Sequence, residues 1–308
     1  MELYYLFLGV ITMRIMVIYN DTSGKNEGRE IAERFQRLAI EKGVEKIVLQ
    51  VTNADVNEDN IREKAEAAKI DTLVIIGGDG TVHHVIRMFK EQLPHLKVGL
   101  IPGGTVNNLA RVLEIPLNQE QASATIFTEN TRQIDFATLN DEVMISTMTV
   151  GILADTASKV TQEEKQKFGP FAFMRRFFRL LFKQRTYPVS VQTDTENWEG
   201  EMHLLTINMT NSVGGFTNFD PLAAVDDGLM HFTIIPKFRR WKFIRNIPRL
   251  SRQDYVKVHN VVHFSAKKAL IKSLTTEKKI ATRTDGDPTD DLPVKLEVIQ
   301  QRIQMIIP

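Results

Sequence analysis

The sequence predicts an α/β domain on a parallel sheet followed by an antiparallel β-sandwich-like second domain, and three observations carry that prediction. Short apolar runs alternate with helical periodicity between Arg14 and about Ala137, closely spaced strand-like runs take over beyond Asp135, and two glycine-rich turns each join an apolar run to a helical one. Alternation of the first kind marks βαβ units, whose right-handed crossovers place helices on both faces of a parallel sheet. At 308 residues the chain exceeds what one core usually organises. We therefore expect residues 13–138, with a returning segment of about 300–308, to form the first domain and residues 139–299 the second.

In order, RIMVIYN from Arg14 reads as a strand, Glu27–Glu41 as a helix, KIVLQV as a strand, Glu58–Ala68 as a helix and TLVII as a strand. A helix from about Val82 to Gln92, the strand Val98–Ile101 and a helix from about Val106 to Leu113, ended by Pro116, complete the first domain. The runs VMISTMTV, YPVSVQT, MHLLTINM, LMHFTII, VVHFSA, KIATRT, VKLEVI and RIQMII are the expected strands of the second. Helical insertions are expected over about 155–183 and 240–250. Residues 1–12 are apolar but lack a basic flank and a cleavage site, and Arg14 interrupts them well short of a membrane span. They read as an extension outside the core, with Met13 an alternative start.

A hydrophobic content of 43 % with 25 % charged residues fits a globular protein, and the absence of cysteine excludes disulfides, thiolate metal sites and cysteine nucleophiles. A reducing cytoplasm is the simplest home. The net charge of +1 conceals two basic stretches, 165–185 and 237–252, each with seven Lys or Arg and no acid. Their interleaved Phe, Leu and Trp side chains suit an interfacial segment on anionic lipid, whereas a core-facing stripe with solvated arginines is the plainer reading. No helix-turn-helix or RNP pattern accompanies them, so no nucleic-acid partner is expected.

Gly77-Gly78-Asp79-Gly80-Thr81 directly follows the unbroken strand TLVII and precedes the helical VHHVIRMF. Glycines let backbone N–H groups approach phosphate oxygens, and a helix N-terminus adds partial positive charge. Thr81 is placed to cap that helix. Asp79 is an acceptor at neutral pH and cannot donate to a phosphate, so a cation such as Mg²⁺, or water bound to it, is its natural partner. A second turn, Pro102-Gly103-Gly104-Thr105-Val106-Asn107-Asn108, repeats the strand–turn–helix setting, and Asn20-Asp21-Thr22-Ser23-Gly24 ends the first strand. Neither GxGxxG nor GxxxxGK[ST] occurs, which argues against a dinucleotide fingerprint and a Walker loop. Asp285-Gly286 is the commonest hairpin dipeptide and also a tight turn able to present a carboxylate.

With NDTSGK, GGDGT, PGGTVNNLAR, Gly214-Gly215-Phe216, Asp226-Asp227-Gly228-Leu229 and Asp285-Gly286-Asp287-Pro288 in order, the chain resembles the diacylglycerol kinase catalytic-domain family of bacterial lipid kinases over essentially its whole length. That family shares the NAD kinase/diacylglycerol kinase-like fold, and GGDGT alone also occurs in NAD kinases and phosphofructokinases. The resemblance implies ATP- and Mg²⁺-dependent phosphorylation of a diacylglycerol-like hydroxyl by a cytoplasmic enzyme peripherally associated with the inner membrane face; a homodimer is compatible with it. It implies nucleotide contacts from Asn20, Asp21, Thr22, Ser23, Gly24, Thr52, Gly78, Asp79, Gly80, Thr81, Thr105 and Asn108. It places Asp79 and Asp135 in the magnesium network, a structural Mg²⁺ on Asp227 and the carbonyls of Ala224 and Leu229, Asp285 as general base, and Asp287 beside it. The chain departs from the family pattern at Asn108, where Asp is usual, at His83 and His84 in place of Asn-Glu, and at Asp21 in place of Pro. Adjacent helical histidines diverge by about 100° and are poorly placed to chelate one ion. An NAD kinase-like enzyme and a regulatory lipid- or nucleotide-binding protein are the alternatives.

Overall fold

Apolar runs without alternation must be covered on both faces, and the first unit is arranged accordingly. The structure, a computed structural model, describes residues 13–21, 27–53, 56–157, 185–212, 222–238, 261–276 and 279–308. It divides into one unit formed by the chain before Asp135 with Arg302–Pro308, and a second formed by Asp135–Gln301.

In the first unit β1 (Arg14–Tyr19) and β3 (Thr72–Gly77) lie side by side and almost wholly buried, with β2 (Lys46–Val51) beyond β1 and β4 (Lys97–Pro102) beyond β3. All four run parallel. Between them come α1 (Gly28–Glu41), α2 (Glu58–Ala67) and α3 (Asp79–Met88), followed by α4 (Asn108–Val112) and α5 (Gln119–Thr125). β1 leads outward to β2, while β3 returns to the other side of β1. This reversal opens a crevice at the carboxyl ends of β1 and β3.

Three local features depart from expectation. α3 begins at Asp79, not Val82, so the glycine run supplies its first turn; Gly78 is the N-cap, and Thr81 lies inside the helix without a capping bond. α4 starts at Asn108 because Asn107 is left-handed, at φ +54°. α5, capped by the Asn118 side chain, was not expected, since its short polar run QEQASAT lacks a strong apolar stripe.

The second unit is antiparallel and β-sandwich-like. It holds β6 (Glu142–Met144), β7 (Thr147–Gly151), α6 (Ile152–Ala157), β8 (Tyr187–Thr193), β9 (Asn197–Asn208), β10 (Met230–Pro236) and β11 (Val262–Ala266). β12 (Lys268–Ser273), β13 (Thr282–Thr284) and β14 (Asp287–Thr289) follow, and β5 (Thr131–Leu139) and β15 (Val294–Ile306) run through both units. The strands run β14-β13-β7-β9-β8-β12-β15, with β10 on β9 and β11 on β10. VKLEVI and RIQMII thus merge into β15, bent at Gln301 with φ +49°. β12 went unread because Lys268 and Lys272 dilute its apolar signal while Ala269 and Ile271 enter the core. The expected helical insertions, beyond residue 157 and over 240–250, lie outside the described residues. Among the described residues no helix is long and apolar enough to cross a membrane.

Register separates two faces of the β13-β7-β9-β10-β11 layer. Met148, Ile207, Phe232 and Phe264 stand opposite one another across four strands and join the apolar core, where Phe232 and Phe264 stack at 4.9 Å. One residue along, side chains point the other way. There Thr149, Thr206, Thr233 and His263 form one transverse row, and Thr147, Asn208, His231 and Ser265 the next.

His203, fully buried, has Nδ1 2.7 Å from the Arg185 carbonyl and its ring edge-on to Phe238 at 4.5 Å. Burial holds its pKa below the ordinary 6.5. Its neutral form therefore contributes stability above pH 6.5 that is lost as pH falls through the depressed folded value. Acidification from pH 7 to 5 should lower the urea midpoint, less steeply in His203→Gln.

Candidate active-site residues

At the mouth of the β1/β3 crevice two glycine turns interlock. The Gly103 N–H donates to the Gly77 carbonyl at 2.8 Å, and a Cβ on Gly104 would lie 2.5 Å from Gly78 Cα. The second turn is clamped by Asn107, whose Oδ1 accepts from the Gly104 N–H at 3.0 Å while Nδ2 donates to the Gly104 carbonyl at 2.8 Å. Sequence reasoning assigned Asn107 no role; a side-chain amide three residues after a glycine pair is the signal that could have revealed it. Gly80 and Thr81, in the first turn of α3, have N–H groups without an intrahelical acceptor, and the helix dipole favours an anion there.

The remaining first-unit candidates surround these turns in the chain. Asn20 and Asp21 follow β1; Asp21 faces Arg29 at 3.5 Å, and a Cβ on Gly28 would lie 2.4 Å from the Asn20 carbonyl oxygen. Thr22, Ser23 and Gly24 lie outside the described residues. Thr52 follows β2, its N–H on the Tyr19 carbonyl at 2.8 Å and its buried hydroxyl without a partner among the described residues. Thr105 is exposed, and Asn108 opens α4. The two histidines diverge: His83 is buried, whereas His84 turns to Glu58 of α2 at 3.8 Å. Among the described residues no group of three or more His, Asp and Glu could hold a metal ion.

In the second unit Asp285 and Gly286 are the two-residue loop between β13 and β14, at φ +52° and +97°. Positive φ at both positions is the hairpin geometry Asp-Gly favours. The carboxylate does more than turn the chain: Oδ1 accepts from Ser146 N–H at 2.7 Å and Thr147 N–H at 2.9 Å, and Oδ2 from Ile145 N–H at 2.8 Å. These bonds also explain why VMISTMTV breaks into β6 and β7: the peptide groups between the strands turn toward Asp285. Asp287 is exposed at the start of β14, beside the Arg283 guanidinium.

Asp135 is 2 % exposed, and its two oxygens accept from the Gly228 N–H at 2.7 Å and the Gln301 N–H at 2.6 Å. Burial raises its pKa, and the two amides oppose that rise. Asp227 takes the N–H groups of Ala224 and Leu229, both at 2.9 Å, and His231 Nε2 at 2.8 Å. Its pKa is lowered: burial, the largest influence, acts upward, and the His231 contact and two amides outweigh it. Three of the roughly four acceptor positions of a carboxylate are thereby used. A histidine closes this turn, and the Ala224 and Leu229 carbonyls expected beside Asp227 on a structural Mg²⁺ are separate atoms from the N–H groups that Asp227 holds. Replacing His231 by Ala should cost about 1–3 kcal/mol, the usual cost of stripping a partner from a buried charged acceptor.

Residues 14–139 match the model of the diacylglycerol kinase catalytic domain, and residues 146–307 that of the YegS C-terminal NAD kinase beta sandwich-like domain. The chain belongs to the diacylglycerol kinase family. Among its relatives are diacylglycerol kinases of Staphylococcus saprophyticus, 29 % identical over 300 residues, and Staphylococcus epidermidis, 28 % identical over 301. Each alignment covers 96 % of this chain, and 95 % and 92 % of the relative respectively. A crystal structure of a diacylglycerol kinase from Bacillus anthracis superposes with a TM-score of 0.70 at 20 % identity, covering 96 % of this chain and 97 % of that one, and so shares the fold. Membership makes the protein a kinase, for which ATP is the implied phosphoryl donor.

Proposed function

We propose that this kinase transfers the γ-phosphoryl group of ATP to the hydroxyl of a diacylglycerol-like lipid. The interlocked turns at Gly77–Gly78 and Gly103–Gly104 carry the reading, because such close backbone packing at a sheet's carboxyl edge leaves no room for side chains and lets a polyphosphate approach the N–H groups that open α3. Asp79 in the first turn of α3 fits Mg²⁺ because that ion is commonly held by one carboxylate together with substrate phosphates and water, and there it would offset charge on the transferring group. Gly80 and Thr81 N–H groups bind phosphate oxygens. Asp285 accepts the proton of the acceptor hydroxyl as its oxygen bonds to the γ-phosphorus and the bond to ADP breaks.

The lipid acceptor is supported by the names of the relatives and by the basic, aromatic-rich stretches 165–185 and 237–252, suited to an anionic membrane surface at the cytoplasmic face. Transfer of ³²P from ATP to a panel of lipid alcohols in mixed micelles, with and without Mg²⁺, tests the reading. A labelled lipid that requires Mg²⁺ supports it; labelled NADP from NAD, with no lipid labelled, replaces it.

A further inference from the structure

The outer face of an antiparallel layer is ordinarily polar because water reaches it. Here the face opposite the apolar core is polar, yet Thr206 and Asn208 on β9 are fully buried. Among the described residues three atoms on it lack partners: Thr206 Oγ1, Asn208 Nδ2 and His263 Nε2. Their neighbours fix how these groups are turned. Thr147 Oγ1 donates to Asn208 Oδ1 at 2.6 Å, leaving the amide nitrogen over, and Thr233 Oγ1 lies 3.1 Å from His263 Nδ1, leaving Nε2 over. Buried polar atoms without partners each cost free energy, and native proteins rarely keep several together without a use. Arg283, opposite Thr149, already donates to the Gly286 carbonyl at 2.7 Å, and His231 Nε2 already meets Asp227 at 2.8 Å. The atoms left over are a hydroxyl oxygen, an amide nitrogen and an imidazole nitrogen, which suit the oxygens of an uncharged ligand.

Spacing sets the size of that ligand. Thr206 and Asn208 are two residues apart on one strand, about 7 Å, and Thr206 and His263 are two strands apart, about 10 Å. One hydroxyl reaches partners only about 2.8 Å away, so it cannot serve all three. We infer that this face seats a neutral lipid head group bearing at least two hydroxyls, which, resting on the lipid-kinase reading, makes an acceptor such as a 1-acylglycerol preferred over a 1,2-diacylglycerol.

Kinetics of the full chain on short-chain versions of these two acceptors in mixed micelles test the inference with Thr206→Val, which keeps the side chain's shape. The expected result is a preference for the two-hydroxyl acceptor, with KM for it rising about tenfold in the variant, as for the loss of one hydrogen bond, and changing less for the other. Asn208→Asp, which keeps the oxygen that Thr147 holds but replaces the donor, should do the same. An unchanged ratio of the two KM values in both variants would overturn the inference. Saturation-transfer NMR of 1-hexanoylglycerol without ATP separates it from the kinase reading. Binding that Thr206→Val abolishes upholds the head-group seat even if no lipid is phosphorylated. No binding to the parent protein sinks the seat while leaving phosphorylation of diacylglycerol intact.

Discussion

Asp285→Asn should lower kcat for lipid phosphorylation by about a thousandfold, within the usual range for loss of a positioned general base. The amide retains one oxygen, so it can still accept from some of the Ile145, Ser146 and Thr147 N–H groups, but its NH₂ must face at least one of them. That mismatch costs about 1–3 kcal/mol of stability, and the two effects must be read separately. ATP affinity, measured by equilibrium binding, should be retained, because the phosphate cradle belongs to the other unit of the chain. The acid limb of the pH–rate profile should vanish with the carboxylate. Retention of more than a third of the parent kcat, with the same loss of stability, would reduce Asp285 to a turn residue. Asp287→Asn, on an exposed strand start beside Arg283, should have a much smaller effect on both measurements.

Legibility of the fold followed the strength of the apolar signal. RIMVIY and TLVIIG are nearly continuous runs, and they became the two most buried parallel strands. KALIKS carries the same alternation in a charged setting and could not be told from a loop. Gln300 and Gln301 read as a break, yet β15 continues through them by bending once at a residue that accepts a positive φ.

Within the candidate site the turn sequences were readable, because glycine pairs after apolar strands have few other uses. What holds the turns was not. The Asp285 carboxylate is fastened to peptide groups about 140 positions earlier in the chain, and the Ile145–Thr147 segment has no composition that advertises this. His231, inside the strand LMHFTII, looks like one polar member of an alternating pattern; only the fold brings Asp227 to Nε2 and the Ser265 hydroxyl within 3.0 Å of Nδ1. With Asp227 ionised, Nε2 must be the donor. The turn that carries Asp227 is thus tied down by a histidine two positions into the next strand.

Gly104→Ala carries the second large expectation, and its cause is space, not backbone freedom. The added methyl would meet Gly78 Cα at 2.5 Å and Asn107 Oδ1 at 2.7 Å. The first is backbone, and the second is held by two hydrogen bonds to Gly104 itself, so neither can yield without opening the cradle. Overpacking of this kind costs about 1–3 kcal/mol. Any shift is passed to the Gly77–Gly78 turn and so to the N–H groups that open α3, where a loss of about 0.5 Å in placement is enough to weaken several phosphate contacts together. ATP affinity should fall by about a hundredfold or more, equivalent to losing roughly two to three hydrogen bonds. Gly43→Ala supplies the contrast. Gly43 sits at φ +77° with nothing within 4 Å of the new methyl, so its substitution introduces backbone strain without a clash. It should cost about 1 kcal/mol in the urea midpoint and leave ATP affinity as in the parent protein. Equal loss of ATP affinity in both variants would mean that general destabilisation is responsible and that the interlocked glycines are not the phosphate cradle.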